Sequence, residues 1–176
     1  MKQLLMYCRS GFEKECAAEI QDKAGQHGVF GFCKLKANDA FVIFEAYDGD
    51  ALDRFLIDFP FSKLIFIRQW ALVIGDWLEL PSTDRIAPVL ETLLGAEVSG
   101  IGELRIEYPD TNDGKELSTL ARKLTVPLRQ SLRQAGVMLK KDHVSIVVHC
   151  TDDPDFREKI IRVCLSDKAK AICIGD

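Results

Sequence analysis

The first seventy residues alternate between two hydrophobic periods, and this alternation constrains the fold more than any other feature of the sequence. Short apolar runs indicate strands, and apolar residues three or four positions apart indicate helices. The predicted elements are strands at 3–9, 29–36, 40–47 and 64–74 and helices at 12–24 and 48–58. Their order, βαββαβ, predicts a ferredoxin-like domain, an antiparallel sheet with two helices on one face.

Local signals set the boundaries of these elements. Ser10 or Gly11 is expected to cap the first helix, and residues 37–39 are expected to form a hairpin turn. Pro60 should end the second helix. The apolar stripe predicted on the first helix consists of Phe12, Cys16, Ile20 and Ala24, and that on the second of Leu52, Phe55 and Leu56.

The rest of the chain predicts a separate α/β unit, which divides the protein into domains at 1–75 and 76–176. A helix is expected at 84–94, a half-exposed strand at 104–108, and a helical stretch at 115–135 that Pro127 should break into two short helices. Gly136 should end that stretch. The remaining predictions are strands at 144–150, 160–165 and 171–174 and a helix at 153–161.

Composition excludes several classes of protein. The 176 residues carry a net charge of −4, which excludes a uniformly basic nucleic-acid binder. No apolar run approaches the ~20 residues of a membrane helix. The apolar run in the first residues is too short for a secretory signal, so a cytoplasmic protein without membrane contact is expected.

Basic residues are concentrated in one segment. Residues 115–141 contain seven basic residues and one glutamate, a net +6, so the remainder of the chain carries −10. The candidate phosphate-binding residues are Lys115, Arg122, Lys123, Arg129 and Arg133, with Thr111 and Asn112 as donors near the helix start. On one ideal helix, Lys115 and the three arginines would form a single stripe. The alternative is an ordinary solvated helix face, which is what most such faces are.

The six cysteines lack zinc-ligand spacing, and several lie in apolar runs. We therefore expect core cysteines and no metal site. A small hydrolase built on Cys150 and His149 is the weakest alternative, since no orienting motif surrounds either residue.

Several stretches resemble one family. The segment YCRSGFEKECAAEI at 7–20 is similar to the opening of bacterial RlmM-type large-subunit rRNA 2′-O-ribose methyltransferases. The same family is resembled by FIRQW at 66–70, GELR at 102–105, DTN at 110–112, KEL at 115–117, and RKLTVPLR at 122–129 followed by AGV at 135–137. Residues 138–176 match the family poorly.

The resemblance implies an α+β chain, a ferredoxin-like domain followed by a THUMP RNA-binding domain. It also implies a catalytic domain beyond these residues that uses S-adenosylmethionine to methylate a cytidine of 23S rRNA. No catalytic or cofactor-binding residue is assigned here, and the chain alone is not expected to be a competent enzyme. Large-subunit rRNA and the catalytic domain are the expected partners, with Arg9, Lys14 and Arg68 as weaker RNA contacts. The alternative function is a protein-interaction or homodimerising module that docks by its sheet edges.

Overall fold

The computed structural model describes residues 1–74, 78–81, 83–96, 100–101, 104–139, 145–150, 163–165 and 169–175. Its first half contains β1 (Lys2–Tyr7), α1 (Glu13–Gln26), β2 (Gly31–Leu35), β3 (Phe41–Ala46), α2 (Gly49–Asp58), a 3₁₀ turn (Phe61–Lys63) and β4 (Gln69–Val73). The strands pair in the order β2-β3-β1-β4, and every pair is antiparallel. The ferredoxin-like arrangement predicted from the sequence is confirmed.

Two helices cover one face of this sheet because their apolar residues recur at helical spacing. Cys16, Ile20 and Ala24 of α1 are fully buried, as predicted, together with Leu52 and Phe55 of α2. They pack against the alternate strand residues Leu4, Met6, Val42, Phe44 and Ala46. This side of the sheet is therefore a closed core within the first half of the chain.

The predicted start of α1 is wrong. Neither Ser10 nor Gly11 caps the helix, because the Ser10 hydroxyl donates to the Asn38 carbonyl at 3.2 Å instead. Phe12 occupies the N-cap position, so its side chain does not continue the buried stripe of α1. It is 38% exposed, and its ring stacks on that of Phe66. The apolar stripe thus begins one turn later than the spacing suggested.

The fourth strand is also shorter than predicted. The structure begins β4 at Gln69 rather than at residue 64, because the backbone N–H groups of Ile65, Phe66 and Ile67 donate to the Glu19 carboxylate at 2.7, 3.0 and 3.0 Å. Donors held by a side chain are not available to a neighbouring strand. The apolar run therefore splits into an anchored loop and a strand.

The second half mixes short strands with three helices among the described residues. Its elements are β5 (Leu78–Glu79), α3 (Ile86–Gly95), β6 (Gly100–Ile101), β7 (Leu104–Glu107), α4 (Asn112–Glu116), α5 (Ser118–Gln134), β8 (Met138–Leu139), β9 (Ser145–Cys150), β10 (Val163–Leu165) and β11 (Ala169–Gly175). The predicted helix at 153–161 and the first residue of the predicted strand at 144–150 lie outside the described residues.

Pro127 does not break the helix, contrary to the prediction. Helix α5 runs through it for 17 residues, and the chain is interrupted instead at Leu117, between α4 and α5. A proline leaves the carbonyl four residues earlier, here that of Lys123, without its usual donor. Val126 and Pro127 are exposed, so water reaches this turn. Gly136, with φ +82°, ends the helix as predicted.

The two halves share one sheet and one core. Strand β4 pairs in parallel with β11, which leads through β9 to β7 and makes a nine-stranded sheet. The face of the ferredoxin-like sheet opposite α1 and α2 is buried as well, in a second core that it shares with α3 and α5. That second core contains Leu5, Phe41, Ile43 and Ala71 together with Val89, Leu93, Leu120, Leu124, Leu128 and Leu132.

Candidate nucleic-acid interface

Helix α5 separates its charges from its apolar residues. Arg122, Lys123, Arg129 and Arg133 are all exposed, whereas the four leucines of the helix are buried: Leu120, Leu124, Leu128 and Leu132. Arg129 and Arg133 follow Arg122 by seven and eleven residues, close to two and three helical turns. The three arginines therefore lie within about 40° of one another around the helix axis. We call the four exposed residues the α5 basic face.

The α5 basic face forms no ion pair with an acidic residue in the part of the chain that the structure describes. Arg122, Lys123 and Arg133 form no ion pair with a described residue. Arg129 differs, because its Nη2 donates to the Leu104 carbonyl at 3.3 Å and so ties α5 to β7. The face therefore presents unneutralised positive charge on a rigid support, which suits contact with an anionic backbone.

The break at Leu117 removes Lys115 from the α5 stripe. Lys115 is exposed on the separate helix α4, so the predicted single line of four aligned cations is not present. The other two basic residues of the segment, Lys140 and Lys141, lie outside the described residues.

The start of α4 is a tight capped turn. Thr111 is the N-cap, and its Oγ1 accepts from the Gly114 N–H at 2.8 Å. A Cβ on Gly114 would lie 2.1 Å from the Pro109 carbonyl oxygen, so only glycine fits this turn. Asn112 is exposed beside it. The Gly114 N–H is already occupied by the Thr111 cap. With five residues, α4 is also too short to act as the anion-binding helix end that the sequence suggested.

The weaker candidates of the first half are also at the surface. The Arg9 guanidinium lies 5.9 Å from the centre of the Phe12 ring, and Lys14 is exposed without an ion pair to a described residue. Arg68 immediately precedes β4, and its Nη1 is 3.8 Å from Oδ2 of Asp110, with both side chains more than half exposed. A pair so long and so exposed contributes little stability.

The loop carrying Arg68 and the loop after β7 form the two sides of a groove between the halves of the protein. One cavity of about 430 Å³ is lined by residues of both halves, among them Tyr7, Arg68, Tyr108 and Asp110. A neighbouring cavity of about 420 Å³ is lined by Ser10, Asn38, Asp110, Thr111 and Asn112. Arg68 lines the first cavity and Thr111 and Asn112 line the second, and Asp110 lines both, so residues 43 or more positions after Arg68 lie near it in the structure.

Two buried glutamates of α1 position one wall of this groove. Glu13 accepts backbone hydrogen bonds from Gly11, Asn38 and Ala40 at 2.8–3.2 Å, which fixes the β1–α1 loop against the β2–β3 turn. Glu19 fixes the segment just before Arg68. Glu13 was not among the residues predicted from the sequence. The missed signal is its spacing, because Glu13 precedes Ala17 by four residues and so lies on the buried face of α1.

The cysteines of the first half belong to the core, as predicted. Cys8, Cys16 and Cys33 are free thiols, the first two of them buried. Burial raises the pKa of the Cys33 thiol to about 12. A hydrogen bond with Cys8, and then burial, raise the pKa of the Cys16 thiol far above its ordinary value. Neither thiol is a nucleophile near neutral pH. Cys150 and His149, the weakest alternative, both lie on β9.

Within the described part of the chain, no three His, Cys, Asp or Glu side chains are grouped so that they could hold a metal ion. No described helix is both long enough and apolar enough to cross a membrane.

Comparison with known proteins places both halves of the chain in one family. Residues 1–71 match the sequence model of the RlmM ferredoxin-like domain. Residues 84–151 match that of the N-terminal part of ribosomal RNA large subunit methyltransferase M.

Curated proteins named ribosomal RNA large subunit methyltransferase M are similar to most of this chain. The protein of Vibrio atlanticus is 51% identical over 146 residues, covering 81% of this chain and 40% of its own length. That of Shigella sonnei is 52% identical over 139 residues, covering 78% and 37%. The chain therefore spans about 40% of the length of the curated relatives it matches. Among solved structures, TrmN from Thermus thermophilus aligns with a TM-score of 0.49 at 15% identity, over 97% of this chain and 45% of that one.

Proposed function

Because this chain belongs to the family of ribosomal RNA large subunit methyltransferase M through its ferredoxin-like and N-terminal domains, we propose that it is the RNA-binding region of such an enzyme. It holds large-subunit rRNA while a catalytic domain outside these residues transfers a methyl group from S-adenosylmethionine to a ribose 2′-hydroxyl of a cytidine. The contribution of this chain is positioning, since a bound and oriented substrate reacts as if at very high local concentration.

The observation that carries this proposal is the α5 basic face. An acidic protein with one unneutralised cluster of cations can contact a phosphate backbone while the rest of its surface repels nucleic acid. Three exposed cations that form no ion pair with any described residue, Arg122, Lys123 and Arg133, are the best candidates for phosphate contact. Arg129 combines such a contact with its structural bond to β7.

The test is a charge reversal with a matched control. Arg122→Glu combined with Arg133→Glu should weaken binding of an in vitro transcribed 23S rRNA fragment. The slope of log K against log salt should flatten by about 1.5, since each lost phosphate contact removes roughly 0.7–0.9. Arg54→Glu combined with Lys63→Glu makes the same charge change at two exposed residues elsewhere on the chain. Equal losses in the two double variants would show that only net charge matters and would refute the assignment.

A sheet edge gives the second candidate function, self-association. Strand β2 ends the strand order, and the rings of Phe30, Phe32 and Tyr47 at this edge are 64%, 36% and 60% exposed. Exposed edge strands with apolar side chains can pair between copies. Sedimentation velocity measures whether the chain forms a dimer and whether Phe32→Lys dissociates it. A dimer that this variant dissociates, together with RNA binding that the α5 charge reversal leaves unchanged, would favour self-association over RNA binding.

A further inference from the structure

We propose that the groove between the two halves binds a single unpaired nucleobase carrying an exocyclic amino group, such as cytosine. The proposal rests on the RNA-binding function above and assigns to the groove a role different from phosphate contact. It comes from four properties of the groove: its size, its aromatic residues, its charge and one amide without a partner.

Size and shape favour a small planar ligand. The cavity of about 430 Å³ is within the range of roughly 300–1,000 Å³ that small-molecule sites occupy. Tyr7, at the end of β1, and Tyr108, just after β7, line it from the two halves, and both rings are partly buried. Unpaired bases are commonly held by stacking on aromatic side chains.

The charge of the groove argues against phosphate and in favour of a base edge. Two carboxylates, those of Glu107 and Asp110, line the cavity. Each lies beside an arginine, with Arg105 Nε 3.4 Å from Glu107 Oε1 and Arg68 Nη1 3.8 Å from Asp110 Oδ2. The groove therefore has no net positive charge that would attract a backbone phosphate. An amino group of a base is a donor that these carboxylates accept, whereas uracil lacks that group.

Gln69 supplies the most specific observation. It lines the same cavity, and its Nε2 is buried with no hydrogen-bond partner among the described residues. A buried amide without a partner costs stability, and such groups often have a functional reason. By turning toward the cavity, the amide donates to a ring nitrogen or carbonyl of the base while Asp110 accepts from the amino group.

The groove is separately testable because nucleosides have no phosphate and therefore do not depend on the α5 basic face. Cytidine and uridine are titrated at millimolar concentration into the full chain, with the tyrosine ring resonances followed by NMR. Cytidine should shift the Tyr7 and Tyr108 signals and uridine should shift them much less. Equal responses to both nucleosides, or none to cytidine, would overturn the proposal.

Variants then connect the groove to RNA, using two hairpins with one stem and loops of six cytidines or six uridines. Tyr108→Leu should lower affinity for the cytidine loop at least about fivefold, the lower end of what one stacked base contributes. Gln69→Leu should remove most of the preference for cytidine while leaving thermal stability equal or higher, an outcome that a purely structural glutamine would not give. Ile57→Ala removes an exposed apolar side chain of α2 outside the groove and should change neither value.

The failures of the two proposals are distinguishable. If Arg122→Glu with Arg133→Glu lowers affinity for both hairpins equally and the groove variants change nothing, the groove proposal fails and the phosphate-binding function stands. If the charge reversal has no effect but Tyr108→Leu abolishes the cytidine preference, the phosphate-binding function fails and the groove proposal stands. If the wild-type chain binds neither hairpin and neither nucleoside, both proposals fail.

Discussion

Glu19 offers the sharpest test of how the fold is held together, because one carboxylate serves three backbone donors. Its Oε1 accepts from Phe66 and Ile67 and its Oε2 from Ile65. In Glu19→Gln, the amide oxygen can keep the first two bonds while the new NH₂ faces the third N–H. The loss is then one bond to a charged group, worth about 1.5–3 kcal/mol. In Glu19→Ala all three bonds are lost.

The cost of Glu19→Ala is smaller than three times that value, since the side chain of Ile65 is 80% exposed and its N–H can turn to water. We expect about 3–5 kcal/mol, with the buried Ile67 donor contributing most. Urea denaturation followed by circular dichroism measures both variants. Glu15→Gln, an exposed carboxylate on the same helix, should change the free energy of unfolding by less than about 0.5 kcal/mol. A Glu19→Ala change as small as that of the control would refute the anchoring argument.

Three further predictions test local features. Pro127→Ala restores a helix donor in α5 and should raise the free energy of unfolding by about 1–3 kcal/mol; destabilisation in urea would contradict the account of this turn. Gly114→Ala should cost about 2 kcal/mol or more because its Cβ would meet a carbonyl oxygen at 2.1 Å, whereas Gly95→Ala, with open space around it, should gain about 0.5–1 kcal/mol in the same assay. Cys33, whose pKa is about 12, should react with iodoacetamide at a rate that rises about tenfold per pH unit between pH 7 and 9; a rate that levels off near pH 8.5 would show an ordinary thiol.

Periodicity predicted the ferredoxin-like half well because each of its helices buries a continuous stripe within a short stretch of sequence. Ile20 and Leu52 were identified as core residues from spacing alone, and both are fully buried. The errors lie where side chains bind distant backbone. Glu19 holds a segment 46 to 48 residues away, and no local pattern predicts that residues 65–67 leave the strand.

The site was only partly predictable for the same reason. The basic face depends on positions within one helix, so sequence spacing found it, although it placed the helix break at Pro127 rather than at Leu117. The groove depends on Tyr7, Arg68 and Tyr108 approaching across two halves of the chain. That proximity follows from the shared sheet and core, which sequence periodicity does not report.

The shared core also limits where this chain can contact RNA. Ferredoxin-like domains of the RRM type use the sheet face opposite their helices as a platform on which bases stack. Here that face is closed, because Leu5, Phe41 and Ile43 are at most 1% exposed in the core that they share with α3 and α5. Bases therefore have no access to the centre of the sheet. RNA must instead contact the elements that pack on this core or border it. Helix α5 packs into the same core and turns its cations outward, and the groove borders this core where β1 ends and β4 begins. The two proposed RNA contacts thus follow from one packing arrangement: a shared core that buries the stacking surface, a helix of that core that presents a charged face to solvent, and a groove at its edge that is lined by two partly buried tyrosines.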